Sequence, residues 1–168
     1  MLSRYTKTKE PIVTYEVKTP NQNPVVSLED LKRHCLVDFP DDDELIEDLG
    51  RAAEEFAEIE TGFGIGLKTI TVYSDGNGEG WLPLTPVIDG DIEKIGANRF
   101  KATKNENPGI DMEVGFDSST LPYGLKLAIC KMVAQAYWKR EDQSIDSLHE
   151  VIFNSGDLLA KFRRRVLL

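Results

Sequence analysis

The chain has 168 residues, 40% of them hydrophobic, which is enough for one domain with a core and too few for two comfortable ones. Its formal net charge of −9 argues against a protein that grips nucleic acid over its whole surface, because phosphate binding needs a basic footprint. No run of about 18 apolar residues is present, and the opening MLSRYTKTKEPIVTYEV has no signal-type apolar stretch, so a soluble protein made inside the cell is expected, with no membrane contact.

Residues 1–24 mix Lys, Thr, Asn and Pro without helical period and read as an extended N-terminal arm, with Tyr5, Ile12, Val13, Tyr15 and Val17 as apolar points. Structure begins at Ser27, where S-L-E-D offers an N-cap with Asp30 three residues on, ahead of Leu28, Leu31 and Cys35. This short helix ends near Leu36. Pro40 disfavours helix at Phe39, and Asp41 to Glu44 place negative charge at the positive end of a second helix, expected over about 42–61. Leu45, Ile46, Leu49, Ala52, Ala53, Phe56, Ala57 and Ile59 recur there at spacings of three and four, and Gly62 stands where a C′ glycine belongs.

The alternation in Leu67 to Tyr73 predicts a strand, followed by an S-D-G-N-G-E-G turn and a second strand at Trp81 to Leu84, together a hairpin. Ile92 to Ile95, Arg99 to Thr103 and Ile110 to Phe116 are further strand candidates. Pro122 opens the strongest helix, in which Leu125, Leu127, Ala128, Ile129, Met132, Val133, Ala136 and Tyr137 run through about Lys139. An amphipathic stretch closes the chain over 157–166. The expected fold is mainly α: a small helical bundle at 25–156 with a short antiparallel insertion at about 67–116, the arm before it and a basic tail at 157–168 behind it.

Charge is unevenly placed. Residues 38–60 hold eleven acids against Arg51 alone, whereas the last eight, KFRRRVLL, hold four bases and no acid. Such a subunit suits contacts between unlike charges, with copies of itself or with an acidic partner. Phosphate contact by the tail is the alternative, and its apolar end, Val166, Leu167 and Leu168, favours a protein pocket instead.

No catalytic constellation is evident, and no cofactor or metal is expected. His34 and His149 lie in different segments, and Cys35 and Cys130 sit in apolar helical patterns without ligand spacing, as buried reduced thiols would. Asp41 to Glu44 lack calcium-loop spacing, and the glycine-rich turn lacks the Lys and Ser/Thr of a phosphate loop. That turn is better explained as a hairpin tip.

Two stretches together resemble the head-tail connector (adaptor) family of tailed bacteriophages. The first carries a capped short helix (Ser27, Leu28, Leu31, Leu36), an acidic start (Asp42, Asp43, Leu45, Ile46) and a Thr-Gly close (Thr61, Gly62). The second carries Pro122, Ala128, Tyr137 and Arg140. The resemblance implies a non-enzymatic, mainly helical subunit of a twelvefold ring under the portal protein, lying in the virion at the head-tail interface after assembly in the host cytoplasm. Such a ring extends the DNA channel, which DNA passes without specific binding, and presents a platform for a tail or head-completion (stopper) protein.

On that reading Lys161, Phe162, Arg163, Arg164, Arg165, Val166, Leu167 and Leu168 form the portal-docking element. The turn at Asp75, Gly76, Asn77, Gly78 and Glu79, and the arm, are candidate contacts with a neighbouring subunit or the tail. Readings from other classes stay open at this point: an acidic regulatory or DNA-mimic protein using the 38–60 face, a DNA-binding module using the tail, and a metal-dependent hydrolase at Asp41 to Glu44.

Overall fold

A computed structural model describes residues 15–74, 77–96, 98–103, 109–139 and 159–163. In chain order these form β1 (Tyr15–Thr19), α1 (Leu28–Cys35), α2 (Asp43–Thr61), β2 (Lys68–Tyr73), β3 (Glu79–Trp81), β4 (Val87–Gly90), β5 (Ile92–Lys94), β6 (Arg99–Ala102), β7 (Gly109–Val114) and α3 (Tyr123–Trp138).

The helices form where local signals place them. The Ser27 hydroxyl accepts the Asp30 N–H at 3.2 Å, and α1 stops at Leu36, which takes the left-handed conformation with φ 57°. Gly62 closes α2 with φ 70° and donates its N–H to the Glu58 carbonyl at 2.8 Å. Ahead of α3, Asp117 organises a tight turn. The Ser119 hydroxyl, the Thr120 amide and hydroxyl and the Ser119 amide all donate to its Oδ1, which holds its carboxyl at about 2.

The expectation of a mainly α bundle with a short inserted sheet is overturned. Among the described residues 37% are helical and 29% are strand, arranged in two antiparallel sheets of order β1-β2-β7-β4 and β3-β6-β5. The expected hairpin of β2 with the strand after it is also absent, because the two belong to different sheets. β2 pairs with β7, setting Ile70 opposite Met112 and Val72 opposite Ile110, all buried. β3 instead pairs with β6, where Gly80 faces Phe100, and the missing side chain leaves room for that fully buried ring. Residues 15–19, expected as part of a free arm, add to β2 as an edge strand with every residue exposed. β4, which Pro86 and Gly90 disguise in the sequence, covers the other edge.

Two apolar clusters result. Leu31, Cys35, Ile46, Ala57, Leu125, Ile129, Met132 and Val133 fill the helical one, and Leu159 from the C-terminal segment is fully buried in it. Ile70, Val72, Leu82, Phe100, Met112 and Val114 belong to the second, built from strand and loop residues of both sheets.

The segment after α2 joins the helices to the sheet. Gly64 N–H donates to the Thr85 carbonyl (2.8 Å) and Gly66 N–H to that of Phe116 (2.9 Å), while Phe116 N–H returns to the Gly64 carbonyl (2.8 Å). Phe63 and Phe116 meet edge to face at 5.7 Å. Gly115 crosses this segment with φ +114°, and a Cβ there would lie 2.2 Å from the Gly66 carbonyl oxygen.

Gly115→Ala is therefore expected to cost on the order of 3 kcal/mol or to prevent folding, because both the φ and the backbone contact forbid a methyl group. Gly96→Ala, with open space around it, is the control and stays within about 0.5 kcal/mol. Urea midpoints at unchanged slope measure both, and equal midpoints for the two variants would refute the junction's importance.

Candidate functional site

Part of the acidic run is consumed inside the subunit. Asp43 pairs with Lys32 of α1, whose Nζ also donates to the Phe39 carbonyl at 2.7 Å. Asp42 accepts from the Tyr137 hydroxyl of α3 at 2.5 Å, so the start of α2 clasps both other helices. Asp30 and Lys126 join α1 to α3 at 2.6 Å, and Lys126 is the main cause of the lowered Asp30 carboxyl pKa. Asp42 and Asp43 thus act as interhelical partners. Among the described residues no group of three acidic, His or Cys side chains is placed to share a metal ion.

Further along α2, two glutamates hold backbone. Glu54 is buried, and its Oε1 accepts the N–H groups of Val25 and Val26, both at 2.8 Å. Burial pushes its carboxyl above the usual range, and those two amides, with Lys68 and Arg51, oppose the rise. One turn on, Glu58 accepts the Ile65 N–H (2.7 Å) and binds Lys68 Nζ through both oxygens (2.7 Å). α2 thereby ties down the chain that leads into α1 and the chain that leads into β2. Beside these groups runs a groove of about 470 Å³ between residues 20–24 and α2, lined also by Val17, Arg51 and Glu55. What remains of the acidic run on open surface is Glu44, Asp48 and Glu55 along one side of α2, with Asp38 and Asp41 before it.

The candidate site residues do not converge on one place. Phe162 lies half-buried against α3, its ring over Gly124, and Arg163 pairs with Glu60 of α2. Lys161 is exposed in a turn, and Arg164 to Leu168 lie outside the described residues. In the glycine-rich turn, Asp75 and Gly76 are likewise outside them. Gly78 accepts the Ala102 N–H at 2.8 Å, and Glu79 pairs with Arg99, whose guanidinium sits 5.8 Å from the Trp81 ring centre. These residues therefore begin β3 rather than capping a hairpin from β2.

His34 is exposed with Nδ1 3.0 Å from the Asp30 carbonyl oxygen, and His149 is outside the described residues. Cys35 and Cys130 are buried and unbridged, and burial pushes both thiols up, that of Cys130 to about 11. A thiol held protonated in this way is a poor nucleophile. Sequence reasoning missed the latch made by Glu54. Its signal was weak: an acid on the apolar side of α2, at the spacing of Ile46, Ala53 and Ala57.

Residues 25–164 match the family of phage gp6-like head-tail connector proteins. Two solved structures share the fold. One is a chain from the virion of a native gene transfer agent particle, with a TM-score of 0.69 and 18% identity, covering 92% of this chain and 97% of that one. The other is from the neck of an empty gene transfer agent particle computed with C6 symmetry, with a TM-score of 0.67 and 17% identity over the same shares, 92% and 97%. No curated protein matches the sequence.

The Glu54 latch has a definite pH signature. Because the folded pKa lies above the unfolded value of about 4.3, the folded state holds more protons between those two values, and this group's contribution falls as pH rises through that window. Glu54→Gln keeps an acceptor for both amides and removes the charge. It is expected to equal or exceed the wild type in thermal stability at neutral pH, with the wild type gaining on it as pH falls through the window. Glu54→Ala leaves both amides unpaired and should cost about 1–3 kcal/mol. A wild type that loses ground to Glu54→Gln on acidification would contradict the latch.

Proposed function

Because this chain belongs to the phage gp6-like head-tail connector family, we propose that it is a structural subunit of a ring between the portal and the tail of a virus-like particle. The observation that carries the reading is the extent of the family match, which runs from the residues before α1 through β2 to β7 and α3 to the C-terminal segment, leaving out only β1 among the strands. The shared fold with chains of gene transfer agent particles, one of them from a neck, supports the same placement.

In this reading copies assemble as a closed twelvefold ring beneath the portal protein and extend the DNA channel toward a tail or head-completion protein. The role is mechanical. α2 ties the helical layer to the sheets through Glu58 and the glycine junction, so that force applied at one layer reaches the other. The net charge of −9 keeps a channel wall from holding DNA, since phosphate and carboxylate repel.

The docking element is residues 161–168, rooted on the subunit by buried Leu159, by Phe162 on α3 and by the Arg163–Glu60 pair. An exposed ion pair of that kind contributes at most about 1 kcal/mol, so the root is chiefly apolar and Arg163 can exchange Glu60 for a partner at little cost.

Replacing Arg163, Arg164 and Arg165 together with Ala is expected to weaken portal attachment while leaving the helical circular dichroism signal unchanged. A chain ending at Arg163 should fail to attach. Negative-stain electron microscopy of each mixed with the portal of the same particle reads the result. A ring that persists on the portal with the shortened chain would remove the docking assignment, and no complex of the full chain at any ratio would remove the connector reading.

A further inference from the structure

The solvent sides of α2 and α3 are matched in length and complementary in character. α2 buries Ile46, Ala53, Ala57 and Thr61 on one side and exposes Leu45, Asp48, Glu55 and Ile59 on the other, Ile59 being 73% exposed. α3 is apolar nearly all round. Its solvent side carries Tyr123 (78% exposed) at one end, Lys131 at the middle and Trp138 (63% exposed) at the other, with half-buried Leu127 and Ala134 between them. A helix apolar on its outer side as well as its core side is suited to being covered. From Glu44 to Ile59 and from Tyr123 to Trp138 the two stripes have equal length, about 22 Å.

We infer that the α3 stripe of one subunit docks on the α2 stripe of a second copy, and that this is the lateral contact of the ring proposed above, on which the inference rests. Aromatic ends meet the exposed aliphatic Leu45 and Ile59. Lys131 meets Asp48 and Glu55, which flank Arg51 and leave the α2 stripe net negative with Glu44. α2 and α3 pack on each other through the helical core, so their outer stripes face away from one another. A contact joining unlike stripes is heterologous, and heterologous contacts close into rings when the rotation between copies permits. A strip about 22 Å by 10 Å falls well short of the roughly 800 Å² per partner typical of a stable complex. Copies in solution therefore associate weakly and array when a template gathers them.

The test reverses charge on each side. Lys131→Glu, and separately Asp48→Lys with Glu55→Lys, are each expected to lower ring occupancy on the portal, at fixed protein concentration, by roughly 3- to 10-fold. All three changes in one chain restore it, because the reversed charges again face each other. Thermal unfolding of every variant should match the wild type, since the three side chains are exposed. If the wild type rings the portal and the variants do so equally well, or if the combined chain is no better than either parent, the contact is overturned and the connector reading survives. If the wild type itself forms no ring, the connector reading fails and the contact fails with it.

Discussion

The backbone crossing at Gly64, Gly66 and Gly115 is the constraint on which the rest of the molecule depends. It is a contact of main chain with main chain, at distances that exclude any side chain. Hydrogen bonds of 2.8–2.9 Å bind the exit of α2 to Thr85 on one side and Phe116 on the other. Because those positions flank β4 and β7, the helix is registered against the sheet within five residues of its end. The helical cluster and the sheet cluster are thus joined by covalent chain, hydrogen bonds and the Phe63–Phe116 ring contact at one place.

α2 extends that coupling along its length. Its first turn holds α1 through Lys32 and α3 through Tyr137, its middle holds the chain entering α1 through Glu54, and its end holds β2 through Glu58 and Lys68. A helix so rich in acids is costly to cover unless each buried carboxylate finds a donor, and here the donors are mostly backbone amides and lysines. Of the acids left exposed, Glu44, Asp48 and Glu55 lie along one side of the helix. Net charge and local charge are therefore separate matters: whatever the total of −9 does at the surface, individual acids hold the subunit together.

The C-terminal segment belongs partly to the subunit and partly to its proposed partner. Leu159 completes the helical cluster, and Phe162 covers the glycine in the first turn of α3. In the docking role proposed for it, a tail rooted at Leu159 and Phe162 is held at a raised effective concentration near a neighbouring receptor. This suits an assembly in which many weak contacts form together on a template.

The three helices and their ends were legible in the sequence, to within a residue or two, because their determinants are local. Ser27 with Asp30, Pro122 and Gly62 act within one turn, and the apolar spacing of three and four is a property of a single helix. The family was legible for the same reason, since its motifs lie on those helices. The balance of the fold was not. β2, β3, β6 and β7 are each short, and what decides their partners is which faces bury together: Ile70 with Met112, Gly80 with Phe100. Those pairs lie up to 42 residues apart in sequence. The roles of Glu54, Asp42 and Gly115 were settled in the same way, by the approach of groups distant in sequence: backbone amides to Glu54, the Tyr137 hydroxyl to Asp42 and the Gly66 carbonyl to Gly115. Helix position and membership in the connector family were thus determined by the sequence itself, whereas sheet partners, the fate of each acid and the tail's root were decided only in the tertiary structure, where non-local contacts choose among locally equivalent strands and charges.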